Sequence, residues 1–455
     1  MDTKPEWRRV KLRDYVDILT GFPFESKHFS DSKGIRLVRG DNISVGCLDW
    51  SHSKRWPNFE ESLNKFLLKE NDVLIGMDGS KVGHNRAVVR REDLPLLLVQ
   101  RVACLRAREG LLQDYLYFLV FSDRFTKYVD SIKTGSAVPH ISAEQIADYE
   151  IYLPPIDEQE EISHILTKLT QKVEMNRELV STLEVIGRIA FKHWFVSFEP
   201  FQDKLAYDKD LGKEIPKDWE VRPVSEYCEC YRGMSYQTEY LDKGNGVLLT
   251  LSVLKADGGV NYEEIRKYDE KQIKERYRID PGDLLVGMTD LTSGEKMLGA
   301  PLIVPDIVNT SGVKASCVHH FCILKRKRGS YLNNAYFYFM FKQNNFRKLM
   351  NMVASGTTVR QIASDKVAEF LFPVPPVEIA NHFQIIFDVV LRLIEISNFE
   401  SQILLKTRDI LLSKLLSGKT RVSEERFARE SKALEEIGEE KLRIQKSLGE
   451  WANHA

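Results

Sequence analysis

The stretch YEIYLPPIDEQEEISHIL, beginning at Tyr149, decides the fold because it recurs in altered form as FLFPVPPVEIANHFQII, beginning at Phe370. In each copy a short run rich in β-branched and aromatic residues meets two prolines and then a segment with the apolar spacing of a helix. Proline is disfavoured inside helices and central strands, so a double proline suits a junction between a strand and a helix. The chain therefore makes the same strand-to-helix junction twice.

The composition is that of an ordinary folded protein with length for two or three hydrophobic cores. The chain has 455 residues, 43% hydrophobic and 29% charged, with six scattered cysteines and a formal net charge of −1. This charge excludes a uniformly basic nucleic-acid binder but allows local basic patches. No apolar run approaches the roughly 18 residues of a membrane span, and the N-terminus has no signal-peptide core, so we expect a cytoplasmic protein without membrane association.

The repetition extends beyond the junction. At an offset of 221 positions, residues 114–142 align with residues 335–363. Further upstream the offset falls to 211, where NDVLIGMDG at Asn71 meets GDLLVGMTD at Gly282. The chain is thus a tandem duplication of a globular part followed by a long helix. The loops have diverged more than the apolar frame, as loops usually do.

Each globular copy is predicted to be α+β. Runs of β-branched and aromatic residues bounded by Gly, Asp or Pro predict strands at DVLIG, AVVRR, RVACLRA, DLLVG and HHFCILKRK. Aromatic residues at helical spacing predict one helix over residues 114–133 and one over residues 335–353.

The segments after the double prolines are predicted to be helices of about 40 residues, each roughly 60 Å long. Asp157 is expected to cap the first with Glu160, and Pro376 to begin the second. The apolar stripe of the first helix, interrupted by Lys172 and Asn176, comprises Ile162, Ile165, Leu169, Leu179, Leu183 and Ile186. That of the second is wider and comprises Phe383, Ile386, Val390, Leu393, Ile394, Leu404 and Leu411.

Neither helix would be stable alone with so much apolar surface, so we expect the two to pack against each other. If the second returns along the first, they form an antiparallel coiled coil with one globular copy at each end. Polar residues such as Asn176 within the seam can fix its register at some cost in stability.

Three further motifs carry a resemblance to a known family. AFKHWFVSFEPF begins at Ala190, DLGKEIPKDWEVRPVSEY follows at Asp210, and LLSKLLSGKTRV begins at Leu411. Together they resemble the specificity subunit of type I restriction-modification systems, over nearly the whole chain. The resemblance implies two target recognition domains that each recognise one half of a bipartite double-stranded DNA sequence, with the helices setting the spacing.

The resemblance also implies partners and cofactors. The helices would dock two methyltransferase subunits, and restriction/translocase subunits would complete the complex. S-adenosylmethionine would bind the methyltransferase, and ATP and Mg the restriction subunit, with no cofactor on this chain.

We divide the chain accordingly into five parts. They are target recognition domain 1 at 1–153, a central spacer helix at 154–199, target recognition domain 2 at 200–374, a C-terminal spacer helix at 375–422 and an extra charged helical tail at 423–455. The tail departs from the family pattern, and its apolar stripe fits either a helix with a partner or a solvated helix.

Catalytic motifs are missing from the sequence. LPPID and VPPVE lack both the Asn or Asp and the aromatic residue with which DNA amino-methyltransferases grip a flipped base, and no phosphate loop or hydrolase motif occurs. CVHHFC, beginning at Cys317, contains possible metal ligands, but in a strand they would alternate between two faces, so we expect no metal. We therefore predict a non-catalytic subunit. The alternative is a non-catalytic, dumbbell-shaped protein-interaction scaffold, which would leave two diverged sets of polar loops unexplained.

Candidate DNA-contacting residues lie in those loops. Asn, Gln and Arg can form paired hydrogen bonds to base edges, whereas Lys mostly contacts phosphate. The first copy offers Lys81, His84, Asn85, Arg86, Gln100, Arg101, Ser136 and His140. The second offers Lys296, Lys314, Thr357, Thr358, Arg360 and Gln361, with Thr289, Thr292, Ser293, Asn309 and Thr310 as further loop residues. Any one of them could instead be an ordinary solvated residue.

Overall fold

The computed structural model describes residues 7–44, 46–135, 138–291, 297–309, 313–357 and 359–418. The described chain forms two compact units, one of residues 7–174 with 403–418 and one of residues 175–402. The tail predicted at 423–455 lies outside the described residues. Within the described residues, no helix has the length and apolar character that crossing a membrane requires.

In the described part of the first unit there are nine strands and three short helices, and the first long helix begins there. The strands are β1 (Arg8–Lys11), β2 (Val16–Thr20), β3 (Ile35–Val38), β4 (Arg55–Trp56), β5 (Val73–Gly76), β6 (Arg86–Val88), β7 (Leu96–Leu98), β8 (Val102–Ala107) and β9 (Glu150–Leu153). The helices are α1 (Gln113–Val120), α2 (Asp123–Ile132), α3 (Ala143–Ala147) and α4 (Ile156–Phe195).

Two sheets form the body of the first unit. An antiparallel sheet has the order β2-β8-β5-β6, and a second sheet has the order β4-β3-β7, with β3 and β7 parallel. The central strand β5 is buried on both faces: Val73 and Ile75 join the core beneath the helices, while Leu74 joins the core shared with the second sheet. Burial on both faces explains why this strand is a continuous apolar run.

The second unit repeats this arrangement with additions. Its strands are β10 (Leu205–Asp208), β11 (Lys213–Pro216), β12 (Glu220–Pro223), β13 (Cys228–Arg232), β14 (Leu241–Leu249), β15 (Arg266–Tyr268), β16 (Arg278–Ile279), β17 (Leu284–Gly287), β18 (Thr289–Asp290), β19 (Pro301–Ile303), β20 (Ala315–Cys317), β21 (Phe321–Arg326), β22 (Arg360–Gln361) and β23 (Leu371–Val374). Its helices are α5 (Asn334–Phe341), α6 (Asn344–Val353), α7 (Ser364–Ala368) and the second long helix, α8 (Val377–Leu416).

The sheet order β13-β21-β17-β19 corresponds to β2-β8-β5-β6, and β15-β14-β20-β16 extends the pattern of β4-β3-β7 by one strand. The strand pair β12 and β23 corresponds to β1 and β9. In β17, Leu284 and Val286 again face one core and Leu285 the other. The predicted α+β duplication is therefore confirmed.

The single helices predicted over residues 114–133 and 335–353 are each two helices. The first prediction covers α1 and α2, and the second covers α5 and α6. The break before α2 has a local cause: the Ser122 side chain accepts a hydrogen bond from the amide of Phe125 and caps a new helix.

Each junction consists of a strand, two prolines and a long helix, as predicted. The proposed capping box at Asp157 is wrong, because α4 already includes Ile156 and the amide of Gln159 donates to the carbonyl of Pro155 (3.0 Å). In the second junction the amide of Ala380 donates to the carbonyl of Pro376 (2.9 Å), which stands just before α8.

The long helices pair antiparallel, as each unit shows by itself. In the first unit, Ile162 and Leu166 near the start of α4 share a core with Leu412 and Leu415 near the end of α8. In the second unit, the end of α4 shares a core with the start of α8, through residues that include Phe191, Phe195, Phe383 and Phe387.

The seam on α4 differs in part from the predicted stripe. The buried positions follow alternating steps of mostly three and four residues, as in a coiled coil, and are Ile162, Leu166, Leu169, Val173, Asn176 and Leu183. Ile186 is 50% exposed and does not belong to the seam. Asn176 does belong to it, and its side chain donates a hydrogen bond to the Glu400 carboxylate.

Candidate nucleic-acid interface

Three loops of the first unit meet at one end of its four-stranded sheet. They are residues 77–85 after β5, the turn at residues 99–101 between β7 and β8, and the two sides of a hairpin at residues 134–135 and 138–141. We call these three loops the first loop edge.

Backbone hydrogen bonds from Met77 hold the first loop edge together. Its amide donates to the carbonyl of Arg101 (2.9 Å), and its carbonyl accepts from the amide of Ile141 (2.9 Å). Beside it, the amide of Gly79 donates to the carbonyl of Pro139 (3.0 Å). Loops distant in sequence are thereby brought into contact by strand-like pairing.

The hairpin loop of this edge is tight. Thr134 and His140 exchange two backbone hydrogen bonds of 3.0 and 2.8 Å across its base. Gly135 has φ +93°, and a Cβ there would lie 2.5 Å from the carbonyl oxygen of Val138, so the turn requires glycine. The imidazole of His140 is exposed beside it.

The second unit builds an equivalent edge from residues 288–291, 318–320, 355–357 and 359–362, which we call the second loop edge. The amide of Met288 donates to the carbonyl of His320 (2.8 Å), and its carbonyl accepts from the amide of Ile362 (2.9 Å). Ser355 and Gln361 exchange two backbone hydrogen bonds of 2.9 Å. The two edges therefore share these four backbone hydrogen bonds.

The side chains on this shared frame differ. The equivalent pairs are Asp78 and Thr289, Arg101 and His320, and His140 and Gln361. On the first edge Arg101 is in contact with Asp78, with Nε 3.9 Å from Oδ2. On the second edge the equivalent residues, His320 and Thr289, are also in contact, with Nδ1 2.9 Å from Oγ1. The hydrogen-bonding groups on the two frames therefore differ, and Thr289, at 2% exposure, lies beneath the surface of its edge.

Most of the described candidates lie on these two edges with accessible side chains. The exposed ones are Lys81, His84, Gln100, Arg101, His140, Thr357 and Gln361, and Asn85 is half-buried. The structure therefore gathers residues from three separate stretches of each copy into one surface.

Arg86 is a correction to the predicted set. Its side chain is 6% exposed, its Nη1 donates to the carbonyl of Val120 (2.5 Å), and its guanidinium lies 5.3 Å from the ring centre of Phe121. Burial lowers the pKa of Arg86 to about 10. Because this guanidinium is enclosed by its own domain, we withdraw Arg86 from the candidate DNA contacts.

Two candidates of the second unit are also held by the fold. Arg360 is half-buried, pairs with Asp290 in the β18–β22 ladder, and donates from Nη2 to the carbonyl of Asn351 (2.6 Å). Lys314 lies beside β20 in the second sheet, and its ammonium is 3.5 Å from the Glu275 carboxylate. Neither has the accessibility of Gln361.

Several predicted residues cannot be placed. Ser136, Lys296 and Thr358, together with Thr292, Ser293 and Thr310, lie outside the described residues, as does the side chain of Asn309.

One element of the second edge escaped the sequence analysis. CVHHFC is not one strand, because β20 ends at Cys317 and β21 begins at Phe321, with His319 and His320 in the turn between them. This turn matches the one at Gln100 and Arg101. The sequence did carry a signal for this turn, because VQRV at Val99 and VHHF at Val318 both place two polar residues between apolar ones. The two motifs are 219 positions apart, so alignments at offsets of 211 and 221 do not reveal the match. Among the described residues, no group of three or more His, Cys, Asp or Glu side chains could hold a metal ion.

Comparison with known proteins identifies the duplicated unit. Residues 4–185 and 216–407 both match the type I restriction modification DNA specificity domain. The chain belongs to this family. The two matches follow the duplication, and they confirm the resemblance that the motifs carry.

Relatives of similar length support the assignment. The chain is 25% identical over 392 residues to the type I restriction enzyme MjaIX specificity subunit of Methanocaldococcus jannaschii, covering 83% of this chain and 88% of that protein. It is 23% identical over 380 residues to the MjaVIII specificity subunit of the same organism, covering 81% and 84%. The crystal structure of a type I restriction-modification S subunit from M. genitalium has the same fold, with a TM-score of 0.56 at 14% identity over 90% of this chain and 96% of that one.

Proposed function

We propose that each loop edge recognises one half of a bipartite double-stranded DNA target, and that α4 and α8 set the spacing of the halves and dock two methyltransferase subunits. The observation that carries this proposal is the repetition of the loop edge, with one backbone frame and two sets of side chains. A frame repeated in both copies positions side chains at a DNA surface in the same way, while their identity determines which base edges they match.

The differences at equivalent positions support two distinct half-sites. His140 offers an imidazole where Gln361 offers a carboxamide, which can pair with adenine through two hydrogen bonds. Arg101 offers a guanidinium suited to guanine where His320 offers an imidazole. Two edges with such different donors and acceptors would select different bases.

We also propose that the chain is not itself an enzyme and acts in the cytoplasm with restriction/translocase subunits as further partners. S-adenosylmethionine would bind the methyltransferase, and ATP and Mg the restriction subunit. The support is the sequence, which has no amino-methyltransferase, phosphate-loop or hydrolase motif.

The first test of this proposal is reconstitution with a methyltransferase partner and S-adenosylmethionine, followed by mapping of the methylated sites. We expect a bipartite site for the complex and no methylation by the chain alone. Methylation by the chain alone would contradict the non-catalytic assignment. A complex that assembles but selects no sequence would favour a protein-interaction scaffold.

The second test is a domain exchange. Replacing residues 1–153 with the corresponding part of a relative should change one half of the target and leave the other unchanged. Because Leu412, Leu415 and Leu416 of α8 pack in the core of the first unit, a second hybrid should also carry the relative's end of this helix. We expect both hybrids to have the same specificity and the second to be more stable. A change in both halves, or in neither, would contradict the proposal.

A further inference from the structure

The paired histidines of the turn at residues 318–320 are not among the residues that the sequence predicted to contact DNA. His319 and His320 lie side by side, with ring centres 4.1 Å apart and ring planes tilted by 38°. Both side chains are partly exposed. The turn occupies the place that Gln100 and Arg101 hold on the first loop edge.

The equivalence of the two turns rests on matched hydrogen bonds. The amide of Gln100 donates to the carbonyl of Phe22 (2.9 Å), and the amide of His319 donates to the carbonyl of Met234 (2.9 Å). The next residue of each turn, Arg101 or His320, accepts from the methionine amide at the centre of its loop edge.

We propose that His320 is a specificity-determining residue of the second loop edge and that Thr289 positions its ring. This inference rests on the proposed function, since it assumes that the second loop edge contacts DNA. His320 Nδ1 lies 2.9 Å from Thr289 Oγ1, and Thr289 is paired with Gln361 in the β18–β22 ladder. The imidazole is therefore tied to β18, which pairs with the strand that carries the exposed Gln361.

The bond to Thr289 determines which nitrogen faces a ligand. With Nδ1 engaged by the hydroxyl, Nε2 is the nitrogen left for DNA, and no hydrogen bond to it is recorded from the described part of the chain. The Thr289 hydroxyl can donate or accept, so Nε2 can be an acceptor or a donor. As an acceptor it would match the amino group of cytosine or adenine, and as a donor N7 or O6 of guanine or O4 of thymine.

The charge of the ring follows from its surroundings. Burial, the adjacent His319 and the nearby Arg232 at the end of β13 all lower the pKa of His320. Within the described ranges, these two side chains are the titratable groups that act on the ring. At neutral pH the imidazole is therefore uncharged, and it gains a second donor only when acid or a DNA acceptor favours protonation.

The test compares base preference among variants of the reconstituted methyltransferase complex, using selection from a DNA pool randomised in both half-sites. His320→Ala should reduce discrimination by about ten-fold at one or two positions of the half-site recognised by the second unit. The remaining positions of that half-site and the whole of the other half-site should be unchanged, which also shows that the variant is folded. Arg101→Ala is the matched control and should affect only the half-site of the first unit.

Two further variants separate base contact from positioning. Thr289→Val removes the hydroxyl and should weaken the same base position as His320→Ala, whereas Thr289→Ser retains the hydroxyl and should not. As the pH falls below the ordinary imidazole pKa of about 6.5 and through the lower pKa of His320, a wild-type preference for cytosine or adenine at that position should shift toward guanine or thymine, because protonation makes Nε2 a donor. His320→Gln should show no such shift.

The outcomes distinguish this inference from the proposed function. A wild-type complex that selects a bipartite site, with His320→Ala indistinguishable from it at every position and every pH, would overturn the inference alone. Loss of discrimination in both half-sites would overturn it as well, since the effect would be structural. A wild-type complex that selects no sequence would overturn the proposed function and the inference with it.

Discussion

The side-chain amide of Asn176 on α4 donates a 2.8 Å hydrogen bond to the carboxylate of Glu400 on α8. Both side chains are buried, at 2% and 3% exposure. A polar pair inside an apolar seam costs free energy when the two helices shift, because the shift separates the partners. The pair therefore favours one register of the two helices over its neighbours.

Asn176→Ala should lower the free energy of unfolding by about 1–3 kcal/mol, because the buried Glu400 carboxylate loses this hydrogen bond. The double variant Asn176→Leu with Glu400→Leu should recover part or all of that loss, since apolar residues of similar volume often replace a buried polar pair without penalty. Denaturant unfolding measures both effects. A double variant less stable than the single one would show that the polar pair is a net source of stability.

Gln361→Ala should reduce discrimination by about 1–3 kcal/mol at one position of the half-site recognised by the second unit, because a paired contact to a base edge is lost. His140→Ala should do the same in the other half-site. Each variant is the other's control.

Lys81→Ala should instead weaken binding to all sequences alike, and it should reduce the slope of log binding constant against log salt concentration by about one, because one phosphate contact is lost. Binding assays at several salt concentrations test this, and a sequence-dependent effect of Lys81→Ala would contradict its assignment to phosphate.

Arg86→Ala should destabilise the first unit by at least about 2 kcal/mol without changing specificity, because it removes a buried hydrogen bond and the packing of the guanidinium on Phe121. Arg86→Met retains the apolar stem and should cost less. Thermal unfolding and methylation mapping check the two parts of this prediction. Altered base preference in a stably folded Arg86→Met variant would restore Arg86 to the DNA-contacting set.

Lengthening both long helices tests whether they set the spacing. Four residues inserted after Thr182 in α4, with four after Glu395 in α8, add about 6 Å to each helix. On α4 the insertion lies between Asn176, which bonds to Glu400, and Glu184, which accepts from the Tyr338 hydroxyl. On α8 the insertion lies between Glu395, which accepts from the amide of Asp306, and Glu400.

We expect unchanged half-sites with a gap longer by one or two base pairs, at about 3.4 Å per base pair. Four residues are close to one helical turn, so the seam should stay nearly in phase. Two-residue insertions at the same sites rotate the seam and should abolish assembly. Methylation mapping measures the gap, and an unchanged gap in an active complex would show that another contact spaces the half-sites.

The elements that rest on local pattern could be predicted from the sequence. The strand at β5, the proline junctions and the two 40-residue helices follow from periodicity and from the chemistry of proline, which act over a few neighbouring residues. The duplication was visible because two copies of one frame must bury the same apolar positions. The break before α2 had a local signal in Ser122, which the helical spacing of the aromatic residues concealed.

The composition of the loop edges was decided by tertiary structure. Arg86 and Arg101 look alike in sequence, yet one is enclosed against Phe121 and the other lies on an exposed turn, because burial depends on elements distant along the chain. His319 and His320 became a turn because β20 and β21 belong to different sheets. The sequence by itself determined two copies of a domain, two long helices and a family. Only the packing of separate segments decided which polar side chains share a surface, since that depends on contacts between residues that no local pattern brings together.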